Sequence, residues 1–401
     1  MAQPTVLISG AGVAGPTLAF WLHRYGFRVI VVEIAPDVRP GGQTVDLRGA
    51  GRAVIERMGL LDEMTRRALD QRGAAWIRAD GSRRAEMPVE AFHGNGLVSS
   101  LEILRGDIAD VLHRATSADV EYRFDTRITD LTDSEDGVTA TLSDGSTVRA
   151  DLVVGADGAH STVRRLAWGS DEHYVRPLGG YHAWFTAPDR VGLDGWFLIY
   201  QEPGLVASMR PDHSPKSSKA GLAFRSEPLV YDRRDVDAQR AILEDRFAGA
   251  KWESSALLAA ARTADDFYFD AFVQVLVDSW SSGRATLVGD AAYCASPLSG
   301  MGTALALVGA YVLAGELDAV GDPSPENLQR ALGAYEAKVR PYVSNAQNLP
   351  AGIDGYAPTS KANIVITAQV MKWMQRWPFR PLADRMWMSK AEDFVLPTYR
   401  G

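Results

Sequence analysis

The stretch that decides the fold lies near the N-terminus and reads Val6-Leu7-Ile8-Ser9-Gly10-Ala11-Gly12-Val13-Ala14-Gly15. A short apolar run, typical of a buried strand, leads into Gly-x-Gly-x-x-Gly and then into a helical pattern from Thr17 to Tyr25. A second apolar run, residues 29–32, stops at Glu33. Strand, glycine turn, helix, strand and acid thus stand in the order that a dinucleotide-binding unit requires.

Each position of this turn has a physical task. Gly10 permits the tight turn, Gly12 lets the backbone approach a pyrophosphate, and Gly15 lets the helix pack closely on the strand. Ala14 stands at the start of that helix, whose unpaired N–H groups and partial positive charge attract phosphates. Glu33 is placed to accept hydrogen bonds from ribose hydroxyls and to repel an adenosine that carries a 2′-phosphate. A glycine-rich turn of an ordinary α/β protein is the plainer interpretation.

Length and composition indicate a globular protein of two domains. The 401 residues are 46% hydrophobic and 23% charged, which is long for one ordinary domain and enough for two cores. A formal net charge of −8 argues against nucleic acid or an anionic membrane as the main partner. One cysteine excludes an intramolecular disulfide, and without a secretory signal before the first strand we expect a cytoplasmic protein. No His/Cys cluster has metal-ligand spacing, so we expect no metal.

An uncharged stretch, residues 291–315, raises the question of a membrane span. Its first half contains Pro297, Ser299, Gly300 and Gly302. Too few apolar residues remain to cross a bilayer as a helix. We therefore expect no membrane-spanning segment.

Two later apolar runs also end in acids. Residues 152–155 predict a buried strand that leads into Asp157-Gly158, and residues 284–288 predict one that leads into Gly289-Asp290. A loop containing Pro297, Gly300 and Gly302 follows the second run, and an Ala- and Leu-rich helix follows the loop. Arg105 stands at the start of another predicted helix rather than on its solvated face.

Residues 166–280 differ in character, because aromatic and β-branched residues form strand-like runs at 181–186 and 196–200. We interpret them as a mostly antiparallel sheet with one helix, separate from the dinucleotide fold. The predicted fold class is α/β, a Rossmann-like domain with this second sheet domain. The predicted limits are 1–73, 101–165 and 281–345 for the first domain, 74–100 and 166–280 for the second, and 346–401 for a C-terminal helical segment.

The three motifs, in this order and spacing, resemble the class A FAD-dependent aromatic monooxygenases of the p-hydroxybenzoate hydroxylase fold. The similarity covers essentially the whole chain. Within the family, the chain is most similar to the shorter members, which modify tetracyclines and polyketides. The resemblance implies FAD as cofactor, NAD(P)H as co-substrate, and O2. It implies hydroxylation of an aromatic or polycyclic substrate, of the kind found in antibiotic and secondary metabolism, through a C4a-hydroperoxyflavin.

The resemblance also assigns cofactor contacts. Glu33 would hold the adenosine ribose, Asp290 the hydroxyls beside the pyrophosphate, and Arg105 the ribityl chain. Asp46 falls in a loop that contacts the cofactor, and Asp157 would serve both FAD and NAD(P)H.

A weaker match makes Arg39 an arginine that meets the nicotinamide cofactor. The helix from Gly302 would aim its positive end at the flavin pyrimidine edge, where charge appears on reduction. The predicted cofactor-binding residues are Gly10, Gly12, Ala14, Gly15, Glu33, Arg39, Asp46, Arg105, Asp157, Gly289, Asp290, Pro297, Gly300 and Gly302.

Several residues depart from the family pattern. The Arg that often follows the ribose-binding acid is Ile34, the His of Gly-Asp-Ala-Ala-His is Tyr293, and the first Pro of a Pro-Pro pair is Ser296. The Asn and Asp usual after the second glycine are Ala304 and Gly309.

No catalytic side chain is expected, since the flavin carries the chemistry. His182, Trp184 and Tyr200 are the candidates for substrate contact, and packing is the alternative for His182. Cys294 invites a redox role, but a lone cysteine in an apolar run favours packing. The rival functions are a reductase or halogenase of the same fold, a non-catalytic flavin-binding protein, and a plain dehydrogenase.

The last predicted helix places Ile366, Val370, Trp373 and Trp377 on one face and apolar residues on another. We therefore expect it to be buried on more than one side, to bridge the two domains and to brace the substrate pocket, with Met386-Trp387-Met388 sealing the far end. A dimer interface is the alternative, and the protein is expected to be a monomer or homodimer.

Overall fold

The computed structural model describes residues 3–39, 41–91, 96–134, 136–375 and 394–400. Within these ranges the strands are β1 (Thr5–Ser9), β2 (Arg28–Val32), β3 (Thr44–Asp46), β4 (Gly73–Ile77), β5 (Arg83–Pro88), β6 (Glu102–Leu104), β7 (Glu121–Arg123), β8 (Ile128–Ser134), β9 (Gly137–Leu142), β10 (Thr147–Ala150), β11 (Leu152–Gly155), β12 (Val175–Pro188), β13 (Trp196–Glu202), β14 (Leu205–Pro211), β15 (Ser217–Arg225), β16 (Tyr268–Val275), β17 (Ser281–Ser282) and β18 (Ala285–Leu287).

The α-helices in the same ranges are α1 (Ala14–Arg24), α2 (Gly49–Arg57), α3 (Leu61–Arg66), α4 (Arg105–Arg114), α5 (Thr162–Trp168), α6 (Val236–Arg246), α7 (Ser254–Ala261), α8 (Asp290–Tyr293), α9 (Gly302–Val320), α10 (Pro325–Gln347), α11 (Gly352–Tyr356) and α12 (Lys361–Met374).

The first domain is built on a six-stranded sheet with the order β17-β18-β11-β1-β2-β7. Its neighbouring strands run parallel, except that β17 is antiparallel to β18. Because β1 lies between β2 and β11, the carboxyl ends of these strands bring Gly10, Glu33 and Asp157 to one edge. We call this part the nucleotide-binding domain, since its edge is where such sheets bind nucleotides.

The sequence predicts a meander of three short β runs, residues 121–124, 137–142 and 146–150, and the structure arranges them differently. The first run, β7, joins the parallel sheet beside β2, and β8 takes its place against β9. β8 carries mostly exposed polar residues, so its sequence shows too little apolar alternation to predict a strand.

α9 is the core helix of the nucleotide-binding domain and packs against α1, α2 and α10. The expectation that too few apolar residues remain to span a bilayer is wrong for this helix, because it continues past residue 315 to Val320 and is long and apolar enough by composition. Most of it is nevertheless buried inside the protein. Every residue from Leu305 to Leu317 is buried, which is the environment of a core helix.

The second domain, which we call the sheet domain, is built on a seven-stranded sheet with the order β16-β12-β15-β14-β13-β4-β5. All neighbouring pairs are antiparallel except β13 with β4. The predicted α/β architecture with a second, mostly antiparallel sheet is therefore confirmed. Two helices, α6 and α7, accompany this sheet where one was expected.

The seven-stranded sheet has two different faces, because side chains alternate along each strand. His182, Ala223, Val206 and Gln201 lie in one cross-strand row. We call their side the front face, and its residues contact the nucleotide-binding domain. The back face is covered by α6 and α7, which bury Leu243 and Leu257 against it.

The C-terminal segment contacts both domains, but not as the helical pattern predicted. α12 packs on β5 and β13 through Ile364 and Ala368. Ile366 and Val370 are 58% and 45% exposed, and Trp373 is 58% exposed. The expectation that this face braces the substrate pocket is wrong, because the sheet covers only one apolar side of the helix.

The contact with the nucleotide-binding domain comes from the tail, residues 394–400. The Pro397 carbonyl oxygen accepts hydrogen bonds from Arg57 and from the Tyr311 hydroxyl on α9, at 2.6 and 2.9 Å. The ring of Tyr399 fills the space above Gly315, where a Cβ would lie 2.2 Å from the ring. Trp377 and Met386-Trp387-Met388 lie outside the described residues.

Candidate functional site

The glycine turn after β1 packs as tightly as its sequence predicts. Gly10 has a φ of +110°, and a Cβ on it would lie 2.5 Å from the Ala156 carbonyl oxygen. A Cβ on Gly15 would lie 1.9 Å from the Gly10 carbonyl oxygen. At Gly12, by contrast, a Cβ would meet no heavy atom of the described chain within 4 Å. The turn is therefore open at Gly12, the position expected to meet the pyrophosphate.

Glu33 follows β2 and holds the glycine turn. Its Oε2 accepts a hydrogen bond from the Ala11 N–H at 2.8 Å, and its Oε1 accepts one from the Ala35 N–H at 2.9 Å. The guanidinium of Arg39 lies 3.8 Å from Glu33 Oε1, on the exposed side. The structure thus brings the predicted ribose acid and the predicted cofactor arginine together.

Asp157 links β1 to the N-terminus of α5. Its Oδ2 accepts hydrogen bonds from the Ser9 hydroxyl at 3.2 Å and the Thr162 N–H at 2.8 Å. Its Oδ1 is buried with no hydrogen-bond partner among the described residues. Burial raises the pKa of Asp157, and hydrogen bonds from the α5 N-terminus act in the opposite direction. One acceptor atom is left over for a ligand.

Asp290 begins α8 and faces the N-terminus of α9. A Cβ on Gly302 would lie 3.9 Å from Asp290 Oδ1, and one on Gly289 would lie 3.1 Å from the Cβ of Ala14. The N-termini of α1 and α9 therefore converge at this acid. Both carry partial positive charge, so the space between them favours an anion.

Arg105 stands opposite Asp290, at the start of α4. Its N–H donates to the Gln43 carbonyl oxygen at 3.0 Å. The side chain of Asp290 is exposed in the cleft, and the Arg105 guanidinium favours its charged form. The positive charge of Arg105 also acts on Tyr268 of β16. Arg105 thus lies between the two domains, beside the predicted path of the ribityl chain.

The loop between α8 and α9 turns at the predicted proline and glycine. Pro297 begins a single 3₁₀ turn, and Gly300 ends it with a φ of +66°. Leu298 of this loop packs against the buried front-face residues of the sheet domain. The loop therefore joins the Gly289-Asp290 motif to the front face.

Asp46 belongs to a pair of acids rather than to an isolated loop. β3 pairs with β6 so that Asp46 stands opposite Glu102. Asp46 forms an ion pair with Arg48, while its Oδ1 is buried with no partner among the described residues. Glu102 is 1% exposed and accepts a hydrogen bond from Arg210 of the front face at 2.8 Å.

His182 and Trp184 both lie on the front face. His182 is 3% exposed, and burial lowers its pKa to about 4 although Asp270 raises it. His182 Nδ1, Trp184 Nε1 and Gln201 Oε1 are buried without a hydrogen-bond partner in the described part of the chain. Buried polar atoms are rarely left unpaired, so this face presents unused donors and acceptors.

Tyr200, the third substrate candidate, lies on the back face. It shares a cross-strand row with Ala207, Leu222 and Ala183, and its hydroxyl donates to Glu202 at 2.7 Å. Its neighbour Gln201 is the residue of β13 that reaches the front face. The strand was predicted correctly, but neighbouring strands decide which of its residues point inward.

Asp270 ties the edge strand β16 to the Asp157-Gly158 loop. It accepts hydrogen bonds from the Tyr268 hydroxyl at 2.9 Å and from His160 Nε2 at 3.0 Å, and Arg233 lies 3.3 Å away. Burial raises the pKa of Asp270, but these donors lower it more, to about 2. The carboxylate therefore stays charged at the seam between the domains.

Cys294 lies in the buried core beside this seam. Its thiol is directed at the Val273 carbonyl oxygen, 3.7 Å away. Burial raises the pKa of the thiol well above its usual value. A thiol that stays protonated and enclosed acts as a packing residue, as the sequence favoured.

Sequence reasoning missed five residues of this site: Glu102, Gln201, Arg210, Tyr268 and Asp270. They come from strands that are far apart in the chain. Strand alternation was the available signal, because each lies at an inward position of a predicted or observed strand. No local motif marks any of them.

The arrangement fits a flavin adenine dinucleotide. Gly12 leaves an open cradle, two helix N-termini converge at Asp290, and Asp157 keeps a buried oxygen without a partner. A family model described as FAD binding domain matches residues 3–348. The chain belongs to this family. It is an FAD-dependent monooxygenase of the p-hydroxybenzoate hydroxylase fold.

Named relatives support the same assignment. A flavin-dependent monooxygenase of Legionella longbeachae is 38% identical over 342 residues, which cover 85% of this chain and 86% of that protein. The FAD-dependent monooxygenase asL4 of Sarocladium schorii is 32% identical and covers 100% of this chain and 99% of its own length. The crystal structure of tetracycline destructase Tet(51) matches with a TM-score of 0.82 and 31% identity over 100% of both chains.

Proposed function

We propose that this monooxygenase hydroxylates an aromatic or polycyclic substrate, of the polyketide or antibiotic type, with NAD(P)H as the reductant. The proposal rests on the front face of the seven-stranded sheet. Its unpaired polar atoms on His182, Trp184 and Gln201 alternate with apolar side chains, the composition of a pocket for a largely apolar ring system. The similarity to a tetracycline destructase supports a substrate of this kind.

The residues that would hold FAD lie at the carboxyl ends of β1, β2 and β11 and near the N-termini of α1 and α9. Glu33 would bind the ribose, Gly12 and the α1 N-terminus the pyrophosphate, and Asp290 and Arg105 the chain between the phosphates and the ring. Bound FAD supplies the reduction and the oxygen transfer that side chains lack. The N-terminus of α9 would stabilise negative charge near the ring.

The chain itself positions the substrate and excludes water. Phe197, Ile199 and Phe272 are at most 7% exposed and give the front face an apolar wall. His182 is uncharged at neutral pH, because burial lowers its pKa to about 4. It is thus able to exchange a hydrogen bond with a phenol without placing a charge in the pocket.

We infer a reducing, cytoplasmic setting as well. Cys294 is the only cysteine in the sequence, and it is free and buried. Such cysteine usage favours a compartment in which disulfides do not form.

Substrate-stimulated oxidation of NAD(P)H tests the function. The flavin-loaded enzyme should oxidise NAD(P)H slowly alone and much faster with a polycyclic phenol. Trp184→Phe removes the indole N–H of the front face and should raise KM for that phenol. Tyr200→Phe, a change of similar size on the back face, should leave KM unchanged. A reductase would show the same stimulation when O2 is absent, and a non-catalytic binder would show none.

A further inference from the structure

Tyr268 is an aromatic side chain that the front face leaves open. It begins β16 and stands directly opposite Trp184 of β12, beside the cross-strand pair of His182 and Asp270. Tyr268 is 44% exposed, whereas Phe272 on the same face of β16 is 1% exposed. An aromatic ring left this open on the substrate face is available for contact with a ligand.

The start of β16 lies beside the predicted cofactor cleft. The positive charge of Arg105, at the start of α4, acts on Tyr268. Asp266, two residues before Tyr268, approaches the loop that precedes β3, since a Cβ on Gly41 would lie 3.3 Å from its Oδ2. The Gly41 carbonyl oxygen in turn accepts a hydrogen bond from the Gly106 N–H of α4 at 2.7 Å. The Tyr268 ring is therefore exposed toward the space between the two domains.

The hydroxyl of Tyr268 is oriented by Asp270. It donates to Asp270 Oδ2 at 2.9 Å, and the same carboxylate is held by His160 at 3.0 Å and by Arg233 at 3.3 Å. Burial raises the pKa of Asp270, but its donors lower it more, to about 2, so the carboxylate remains an acceptor at neutral pH. Because the hydroxyl hydrogen is directed at Asp270, the Tyr268 oxygen presents lone pairs to the cleft.

Trp184 supplies the complementary donor. Its Nε1 is buried and has no hydrogen-bond partner in the described part of the chain. The benzene edge of the indole lies over Gly221 of β15, where a Cβ would lie 2.4 Å from it, so the N–H edge is directed away from that glycine. Residues directly opposite on antiparallel strands have Cβ atoms ~5 Å apart. An N–H donor and a hydroxyl acceptor therefore stand side by side at Trp184 and Tyr268.

We propose that Tyr268 is a specificity-determining residue whose oxygen accepts a hydrogen bond from an un-ionised hydroxyl group of the substrate, while the Trp184 N–H donates to that hydroxyl. Asp270 is its positioning residue. The substrate class is then a polycyclic compound with a free hydroxyl group rather than the corresponding ether. This proposal rests on the proposed function, whose substrate face it uses.

A hydroxyl group suits this pair because it donates and accepts at once. An ether oxygen would accept from the Trp184 N–H but would bring a second acceptor against the Tyr268 oxygen. Sites that hydrogen-bond a substrate hydroxyl discriminate strongly against analogues without it, because polar groups of the protein are then left unpaired.

The test compares 2-naphthol, which is un-ionised at neutral pH, with 2-methoxynaphthalene, which lacks the donor. Binding to the FAD-loaded enzyme is followed by the flavin absorption spectrum, without NAD(P)H. The wild-type protein should bind 2-naphthol about tenfold tighter or more, the value of one hydrogen bond. Tyr268→Phe should reduce this ratio to near one by weakening 2-naphthol, without weakening 2-methoxynaphthalene.

Tyr200→Phe is the matched control. Tyr200 also donates to an acid two residues further along its strand, Glu202 at 2.7 Å, but it lies on the back face. This substitution should leave the ratio of the two Kd values unchanged.

Two variants of Asp270 separate positioning from folding. Asp270→Asn keeps an acceptor for the Tyr268 hydroxyl and should retain most of the preference for 2-naphthol. Asp270→Ala should lose it, because the hydroxyl hydrogen is then free to serve an ether as well.

The proposal is overturned if Tyr268→Phe weakens both probes equally, or if the wild-type protein binds neither probe or binds both alike. It is also overturned if Tyr268→Phe raises the Kd for FAD, which would place the hydroxyl against the flavin instead. The proposed function fails separately, through loss of substrate-stimulated NAD(P)H oxidation, which this binding experiment does not measure.

Discussion

The hydroxyl oxygen of Tyr293 occupies the space that any side chain at Gly309 would need, since a Cβ there would lie 1.8 Å from it. This hydroxyl is 3.0 Å from that of Tyr335, which donates to the Leu287 carbonyl oxygen at 3.1 Å. Tyr293 and Gly309 are two of the positions at which the sequence departs from the family pattern. The departures compensate for each other, because the larger residue on α8 uses the space that the glycine on α9 leaves.

Gly309→Ala should therefore destabilise the protein, although alanine is normally favoured over glycine inside a helix. Overpacking of this kind costs about 1–3 kcal/mol. The same substitution should cost much less in a Tyr293→Phe background, which lacks the hydroxyl. Chemical denaturation of the four proteins measures this coupling. Equal losses in both backgrounds would show that the two residues are independent.

Gly12→Ala should weaken FAD binding without altering the apoprotein. A Cβ at position 12 meets no atom of the described chain within 4 Å, but it would stand where the pyrophosphate is expected. A steric cost of ~1–3 kcal/mol corresponds to a rise of roughly 5- to 150-fold in the Kd for FAD. Flavin titration and thermal unfolding of the apoprotein are the two measurements.

Gly10→Ala is the control for that variant. Its Cβ would lie 2.5 Å from the Ala156 carbonyl oxygen, so it should lower the stability of the apoprotein itself. If Gly12→Ala destabilised the apoprotein as much as Gly10→Ala, the turn would be closed at Gly12 and the placement of the pyrophosphate would be wrong.

Stability should fall on mild acidification because of His182. Burial lowers its pKa from 6.5 to about 4, so the unfolded chain binds a proton between these values and the folded protein does not. The contribution is absent above pH 6.5, and by pH ~4 it reduces the free energy of unfolding by ~3 kcal/mol. His182→Gln should show a flatter profile over this interval. Parallel profiles for the two proteins would contradict the buried, neutral histidine.

Substitution by alanine at two isoleucines of α12 should affect the free energy of unfolding to very different extents. Ile364 is 7% exposed and Ile366 is 58% exposed. Ile364→Ala should reduce the free energy of unfolding by ~2–5 kcal/mol, and Ile366→Ala should change it by less than about 0.5 kcal/mol. Urea denaturation distinguishes them, and a large loss in Ile366→Ala would indicate that this face is covered in solution, as in a dimer.

The elements that sequence predicted well are those whose signal is local. The Gly10–Gly15 turn, the strand before Asp157 and the strand before Gly289 each combine a short apolar run with residues that backbone geometry demands. The carboxyl ends of parallel strands then meet at one edge. Residues 6–33 and the two later motifs are therefore enough to predict that these elements meet, and the cofactor contacts assigned to them stay a prediction.

The substrate face was not predictable in the same way. Tyr200 is the candidate that the sequence of β13 offers, but the pairing of β13 with β4 and β14 places its neighbour Gln201 on the front face. The Asp46, Glu102 and Arg210 cluster forms only when β3 pairs with β6 and the two domains meet. A single sequence contains no information on the register of such distant segments.

Isotopic labelling is the most direct test that this protein is an FAD-dependent monooxygenase. The flavin-loaded enzyme is supplied with NAD(P)H, a polycyclic phenol that stimulates NAD(P)H oxidation, and isotopically labelled O2, and the product is analysed by mass spectrometry. We expect one labelled oxygen atom in the product, in amounts that approach the NAD(P)H consumed. An unlabelled product, oxygen derived from labelled water, or turnover undiminished without O2 would contradict it.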